Sequence, residues 1–323
     1  MSARPSKAAL DVLERGVLCH LAVATAHGPH LTPVVYVLHA GRLWLTTARS
    51  SVKARAWRSR PEVAGLIRHE GLAVTFRGRV ITYDALDPLS WPGAVVGAPR
   101  IATAATRFSM KNARFFAGYA VDANRVPLSW SPPGRVFAAV RLTAGWLLAP
   151  DGPVGEGWGS WTTGTEYRKT FGVAKGSAVD RKVPSGIRTA IGDEGEGALG
   201  LQDEGRLTVL PAAWRRVGSE GAYDAVLPTA TLALADAGLR PRAAITVDRA
   251  SRWRASAMTG ILLQGPAELH SLEATTRGKQ ALRGRLRYPD PDDLALVRVR
   301  PDRVVWWRGW TGGRVARMSG AAS

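Results

Sequence analysis

The sequence predicts a mainly β protein built from two copies of one antiparallel plan. Near the N-terminus, three short runs are rich in β-branched and aromatic residues and are bounded by Gly, His and Ala, which is typical of strands. They cover residues 21–24, 31–38 and 42–47, and the Ala40-Gly41 break lies between the last two. A length of 323 residues is also in the range of two domains.

A second copy of this plan is visible in the C-terminal half. Gly205 corresponds to Gly28, and Pro211 corresponds to Pro33 with one extra residue before it. Three more segments match in the same order: 239–248 with 59–68, 259–269 with 75–85 (Gly265 against Gly78), and 294–310 with 136–148. Four matches in one order indicate an internal duplication.

The repeat sets the predicted domain boundaries. Residues 1–150 form the first domain, residues 151–196 a linker rich in Gly and Trp, and residues 197–323 the second domain. Matching the copies predicts a short helix that ends at residues 187–191, just before the second domain.

An insertion at residues 88–134 is predicted to be helical. Pro99 lies near its expected start and Gly118 near its end. The apolar face is predicted to contain Ile101, Ala105, Phe108, Phe115, Phe116 and Tyr119. A second stripe is basic, with Arg100, Arg107, Lys111 and Arg114. This stripe is either a solvated helix face or a surface that attracts an anionic tail of a ligand.

Composition excludes several protein classes. The content of 46% hydrophobic and 22% charged residues is that of an ordinary globular protein. The single cysteine, Cys19, excludes a disulfide framework and a Cys-based zinc site, and its place in a strand predicts a buried, inert thiol. The N-terminus lacks the apolar core of a signal peptide, and no run reaches the ~20 apolar residues of a membrane span. We therefore expect a cytoplasmic protein without a metal site.

The net charge of +18 is the unusual global feature. Such a charge is compatible with nucleic acid or an anionic membrane as a partner. The basic residues are scattered along the chain, however, and no zinc-finger, RNP-like or basic-zipper pattern accompanies them. A nucleic-acid-associated protein therefore stays an alternative that depends on charge alone.

Hydroxyls and cations cluster after the third predicted strand. Thr46 and Thr47 end that strand, and the next eight residues contain Arg49, Ser50, Ser51, Lys53 and Arg55. Hydroxyl groups, free backbone ends and three cations in so short a segment suit a phosphate. The alternative interpretation is a polar hairpin exit followed by the solvated face of a helix.

The order of motifs around this cluster resembles a known family. The segments G-P-H-x-T-P-V-x-Y, G-R-L-W-L-T-T, S-x-K-A-R and R-x-R-P-x-V follow one another between residues 13 and 87. This order is similar to that of the pyridoxamine 5'-phosphate oxidase-like split β-barrels, which are flavin- and deazaflavin-binding oxidoreductases. The resemblance implies tandem FMN-binding split β-barrels that form an internal pseudo-dimer, with a helical insertion in the first.

The resemblance also implies where a cofactor binds. The strand residues Thr32, Pro33 and Val34 would lie along the flavin ring. The phosphate would be held by Thr46, Thr47, Ser51, Lys53 and Arg55. His30 precedes the ring-edge strand and is a candidate neighbour of the substrate.

The second copy lacks the corresponding phosphate segment. Residues 230–239 contain no cation and include Asp236, so we expect a degenerate second site. Residues of the second half would then complete the first site. The candidates for a wall against the ring are Trp253, Trp306, Trp307 and Trp310, for which packing is the alternative role.

The implied function is flavin-dependent hydride transfer to or from a small organic substrate. FMN is the expected cofactor and deazaflavin the alternative, with a reduced nicotinamide or deazaflavin as hydride donor. No acid–base pair or activated nucleophile is evident, so no catalytic residue is predicted. A non-catalytic flavin- or haem-binding protein is the other interpretation. The G-x-G-x-x-G at residues 195–200 is not predicted to bind a dinucleotide, because acidic residues flank it and a strand rather than a helix follows.

Overall fold

The structure of the protein is a computed structural model. It describes residues 2, 4–84, 86–87, 90–121, 134–161, 179–203, 205–217, 221–235, 241–249, 257–271 and 294–316. Within these ranges, no helix has both the length and the apolar character needed to cross a membrane.

The first half forms a closed six-stranded antiparallel barrel. Its elements are α1 (Lys7–Arg15), β1 (Leu18–Val23), β2 (His30–His39), β3 (Arg42–Ala48), α2 (Val52–Ser59), β4 (Glu62–His69), β5 (Leu72–Tyr83), β6 (Arg135–Ala149) and β7 (Gly152–Gly159). The strand order is β3-β2-β1-β4-β5-β6, β6 pairs again with β3, and β7 extends the sheet beyond β6. The three predicted strands and their hairpin are confirmed. Ala40 and Gly41 both have positive φ, as a two-residue hairpin turn requires.

The second half repeats this barrel. Its elements are α5 (Ser185–Ile191), β8 (Glu194–Asp203), β9 (Arg206–Val217), β10 (Ala222–Pro228), α6 (Thr229–Ala233), β11 (Arg242–Arg249), β12 (Thr259–Ser271), β13 (Leu294–Val299), β14 (Arg303–Arg308) and β15 (Thr311–Ala316). The strand order is β10-β9-β8-β11-β12-β13, in which β11 pairs with β12. The barrel closes because β13 pairs again with β10, and β14 and β15 extend the sheet beyond β12. The fold is therefore that of tandem split barrels, as predicted.

Strand register shows that the two copies are equivalent residue by residue. In the first barrel, Pro33 lies opposite His20, which lies opposite Leu66. In the second, Pro211 lies opposite Ala198, which lies opposite Thr246. Gly78 and Gly265 are equivalent in the same way, because their partners are Val63 and Ala243. These pairs follow the alignment predicted from the sequence.

The segment predicted as a linker contains regular structure at both ends. β7 belongs to the sheet of the first barrel, and α5 ends at Ile191 where the alignment of the copies predicts a helix end. The 3-10 turn Val179–Lys182 precedes α5. Residues 195–200, which spell G-x-G-x-x-G, lie inside strand β8 and not between a strand and a helix. Residues 162–178 of the segment lie outside the described residues.

The insertion is helical, but its predicted start at Pro99 is wrong. It forms α3 (Trp91–Lys111) and α4 (Ala113–Val121), and Pro99 lies inside α3. Pro92 occupies the first turn, where its missing N–H costs no hydrogen bond. Ala104, rather than the predicted Ala105, is buried.

The prediction of a basic stripe on the insertion is wrong at one position. Arg100, Arg107 and Arg114 are exposed, as the stripe predicts. Lys111 instead turns inward, and its Nζ lies 4.0 Å from the centre of the Tyr36 ring. Burial lowers the pKa of Lys111 to about 8, although the thiol of Cys19 and Glu14 act in the opposite direction.

The equivalent outer faces of the two barrels differ in chemistry. In the first barrel, Trp44 pairs with Val37 and Ala139, and this apolar face is covered by Ala104 and Phe108 of α3. In the second barrel, the matching positions form an ion cluster: Asp224 contacts Arg215 at 3.2 Å and Arg298 at 2.8 Å. An apolar face needs a cover, which explains why the helical insertion packs on the first barrel.

The barrels pack against each other with approximate two-fold symmetry. Arg77 Nε donates to the carbonyl of Leu207 at 3.2 Å, and Gln264 Nε2, at the equivalent position, donates to the carbonyl of Pro29 at 2.9 Å. A continuous buried cluster joins side chains of both barrels, among them Leu31 and Leu66 with Leu199 and Leu201. One chain therefore forms an internal pseudo-dimer.

Candidate functional site

The predicted phosphate segment is the turn from β3 into α2. Ser51 caps α2, because its Oγ accepts from the N–H of Ala54 at 3.1 Å. The same oxygen accepts from the hydroxyl of Thr47 at 3.1 Å. The turn thus brings two hydroxyls together at the start of a helix, where backbone N–H groups point outward.

Lys53 is the buried cation of this turn. Its side chain is only 4% exposed, and its Nζ donates to the hydroxyl of Thr32 on β2. Burial lowers the pKa of Lys53 to about 8, opposed by the nearby Cys19. Among the described residues, Thr32 is its one hydrogen-bond partner, and an ammonium group has three donors.

Cys19 is buried as predicted. Burial raises the pKa of its thiol to about 12, although Lys53 and Lys111 favour the thiolate. A thiol in this state is a poor nucleophile at neutral pH. It therefore acts as a small apolar side chain of the barrel.

The ring-edge residues are partly exposed on β2. Thr32, Pro33 and Val34 are all half-buried, between the buried residues Leu31 and Val35. Because side chains alternate along a strand, Thr32 and Val34 share one face and Pro33 occupies the other. Lys53 therefore contacts Thr32, the first of these three residues.

Thr46 and Thr47 point to opposite faces of β3. Thr47 is directed toward Ser51, whereas the hydroxyl of Thr46 accepts from Arg135 Nε at 3.0 Å. Thr46 therefore lies on the other face of β3 from the bonded hydroxyls of Thr47 and Ser51. Arg55 is exposed on α2.

Arg49, which follows Thr47 in the sequence, is engaged in an ion pair. Its Nη1 contacts Oδ1 of the buried Asp84, and Arg58 lies 3.8 Å from the other carboxylate oxygen. The ion pair holds the end of β5 against the turn into α2.

His30 lies at the start of β2 in a strongly cationic environment. It is 8% exposed, and its Nδ1 has no hydrogen-bond partner within the described ranges. Burial lowers the pKa of His30 to about 3, and Lys53, Arg303 and Arg55 lower it further. The imidazole is therefore neutral at physiological pH and can accept or donate one hydrogen bond per nitrogen.

Arg303 is a cation that lowers the pKa of His30, and sequence reasoning did not identify it. It belongs to β14 of the second barrel, 273 positions after His30 in the chain. Its position opposite Gln264 follows from strand register, and no local motif in the sequence indicates it.

The candidate tryptophans of the second half pack against glycines of their own sheet. A Cβ at Gly260 would lie 2.2 Å from the ring of Trp307, and a Cβ at Gly313 would lie 2.6 Å from the ring of Trp306. These close contacts support the packing role for both tryptophans. Trp310 is half-buried, and Trp253 lies outside the described residues.

A family model described as pyridoxamine 5'-phosphate oxidase matches residues 5–80, which contain α1, β1 to β4 and most of β5. The first barrel is therefore similar to this family over residues 5–80. The match covers the turn with Ser51 and Lys53 and the strand with Thr32, Pro33 and Val34. No curated protein sequence matches the chain.

Several solved structures are similar to less than half of the chain. An F420 reductase is 22% identical, with 44% of this chain and 98% of that chain covered and a TM-score of 0.30. A FAD-binding protein from Mesorhizobium loti is 16% identical, covering 43% and 90% with a TM-score of 0.30. The General Stress Protein 26 from Bacillus anthracis is 11% identical, covering 43% and 88% with a TM-score of 0.29.

Proposed function

We propose that the protein is a flavin-dependent oxidoreductase that binds FMN and transfers hydride to or from a small organic substrate. The observation that carries this proposal is the buried ammonium group of Lys53, which donates to the hydroxyl of Thr32 and belongs to the same turn as the bonded hydroxyls of Thr47 and Ser51. The similarity of residues 5–80 to a family that includes flavin- and deazaflavin-dependent oxidoreductases supports it.

The electrostatics of Lys53 favour an anionic ligand. A buried charge is costly unless it is paired, and a hydroxyl partner compensates it only weakly. A phosphate would supply the missing counter-charge and would accept the remaining donors of the ammonium group. Ser51 can donate its hydroxyl hydrogen to the same group, whereas the hydroxyl hydrogen of Thr47 is donated to Ser51. Arg55 would add a cation at the surface.

The other predicted site residues have roles that depend on their positions in β2 and β3. Thr32, Pro33 and Val34 would lie along the edge of the flavin ring, and Thr46 would support the turn through Arg135 rather than contact the phosphate. When bound, the flavin supplies the hydride chemistry, and the protein supplies binding, orientation and exclusion of water. Deazaflavin is the alternative cofactor, and F420, named in one structural relative, is a deazaflavin.

The first experiment is an absorption spectrum of the protein purified from a native-type host, followed by mass analysis of the released chromophore. Flavin bands with FMN released would support the proposal, and a deazaflavin would select the alternative cofactor. Reduction of the bound cofactor by a nicotinamide would distinguish an enzyme from a non-catalytic binder. A colourless protein that takes up neither cofactor would contradict the oxidoreductase assignment.

The second experiment tests the placement of the site. Lys53→Ala should weaken cofactor binding about tenfold to a hundredfold, since a charge-assisted contact contributes roughly 1.5–3 kcal/mol. Lys182→Ala, at an exposed lysine outside the site, is the matched control and should leave affinity unchanged. Lys53→Met keeps the volume of the side chain if the alanine variant folds poorly. Unchanged affinity in a folded Lys53 variant would place the phosphate elsewhere.

A further inference from the structure

The side chain of Arg303 faces the first barrel. Arg303 pairs with Gln264 between β14 and β12, and cross-strand partners project from the same face of a sheet. Gln264 is buried and donates to the carbonyl of Pro29 at 2.9 Å, so this face lies against the first barrel. Arg303 is thereby placed beside His30, the residue that follows Pro29.

The surroundings of His30 are positive on both sides of the junction. Lys53 and Arg55 come from the first barrel, and Arg303 comes from the second. Arg314, one strand further in β15, adds its charge to that of Arg303. The nearby carboxylate, Asp302, contacts Arg242 at 2.6 Å. Cations held together in this way repel one another, and an anionic ligand would relieve the repulsion.

The two copies differ at this position in an informative way. Gln264 and Arg77 are equivalent, and the cross-strand partner of Arg77 is Ala144. At the position of Arg303 the first barrel has only the methyl group of Ala144. The neighbouring Arg77 does reach the second barrel, but its guanidinium is bonded to Leu207 and Thr208. The second barrel has also lost the cations after β10, because residues 230–239 contain no Lys or Arg. The site of the first barrel therefore has both the arginine from the other barrel and the cations that follow β3. The equivalent place in the second barrel has neither of them.

We propose that Arg303 is a ligand-binding residue of the first barrel's site and binds an anionic group other than the phosphate assigned to Lys53. This inference rests on the proposed function for the identity of the ligand. The group is a carboxylate or a second phosphate, either on an extended cofactor or on the substrate. The second half of the chain thus serves the first site, which explains why it is retained although its own site is degenerate.

The test compares Arg303→Gln with Arg308→Gln, an exposed arginine on the opposite face of the same strand. The ligands are FMN, F420 with its carboxylate tail, and inorganic pyrophosphate added to the protein with and without FMN. If the group belongs to the cofactor, Arg303→Gln should weaken F420 binding about tenfold and FMN binding much less. If it belongs to the substrate, only pyrophosphate binding should weaken. Equal affinities of Arg303→Gln and wild type for all three ligands would overturn the proposal.

A cofactor-independent measurement separates this inference from the proposed function. Loss of a nearby cation should raise the pKa of His30, which NMR titration of the imidazole can follow in the free protein. An unchanged His30 titration would show that Arg303 does not face this residue. If wild type binds neither cofactor but binds pyrophosphate in an Arg303-dependent way, the proposed function fails and the anion site stands.

Discussion

Nε2 of His20 lies 2.6 Å from Oδ1 of Asp248, and this buried contact joins the first barrel to the second. Burial raises the pKa of Asp248, but the hydrogen bond from His20 and the charges of His20 and Arg68 outweigh it and hold that pKa below its usual value. Arg68 occupies the position in β4 that is equivalent to Asp248 in β11, and it donates to the carbonyl of Gly197. Equivalent positions of the two barrels therefore contribute different interactions to the junction: an ion pair from Asp248 and a hydrogen bond to a carbonyl from Arg68.

Asp248→Asn is expected to destabilise the protein. A buried hydrogen bond to a charged group contributes roughly 1.5–3 kcal/mol, and this bond connects two barrels. Because the folded pKa lies below the unfolded one, the stabilisation is present above about pH 4 and is lost as the pH falls through the folded pKa. Urea unfolding at pH 7 measures the change, with Glu196→Gln at an exposed acid as control. Equal stability of the two variants would contradict the role of the pair.

His30 is expected to make the fold sensitive to acid. Its pKa is lowered from 6.5 to about 3, so between these values the unfolded chain binds a proton that the folded chain does not. Stability from this residue should therefore fall by about 1.4 kcal/mol per pH unit as the pH decreases through that window. His30→Gln should flatten the dependence between pH 6.5 and 4.5, and His27→Gln, at an exposed histidine, should not. The same slope in all three proteins would exclude a neutral, buried His30.

Cofactor affinity is expected to decrease above pH 8. A phosphate binds the protonated form of Lys53, whose pKa in the free protein is about 8. Above that value, binding must first protonate the amine, so the affinity should fall by up to about tenfold per pH unit. FMN titrations between pH 7 and 9.5 measure this decrease. Lys53→Arg stays charged throughout and should bind without the decrease, whereas a flat profile for wild type would argue against a Lys53–phosphate contact.

Gly265→Ala is expected to disturb the second barrel. A Cβ there would lie 2.1 Å from the carbonyl oxygen of Arg300, so the backbone between β13 and β14 would have to move. Overpacking of this kind costs roughly 1–3 kcal/mol. The same substitution at Gly93 in α3 meets no atom within 4 Å and should stabilise the helix by up to about 1 kcal/mol. Opposite signs in thermal unfolding support the close approach, and a neutral Gly265→Ala would refute it.

Several features could be predicted from the sequence because they depend on neighbouring residues. Strands β1 to β3 follow from runs of β-branched residues, and the Ala40-Gly41 break allows the left-handed backbone of a hairpin turn. The duplication was visible because Pro33 and Pro211, and Gly78 and Gly265, keep their order along the chain. The turn that contains Ser51 and Lys53 can also be predicted, because its hydroxyls and cations are close together in the chain.

The sequence of the insertion did not determine where α3 starts or which way Lys111 points, because both alternatives are compatible with a helix. Pro92 and Pro99 each suit a first turn, and the structure starts α3 at Trp91 with Pro99 inside the helix. Lys111 lies on the stripe of arginines by spacing, but the approach of α3 to β2 places its ammonium group over Tyr36.

By itself the sequence determined the strands, the repeat, the family resemblance and the segment that carries Lys53, since each is encoded within a few residues. Tertiary structure decided which groups meet across the junction: His20 with Asp248, Gln264 with Pro29, and Arg303 beside His30. These partners are more than 200 residues apart, and their approach depends on strand register and on how one barrel packs against the other.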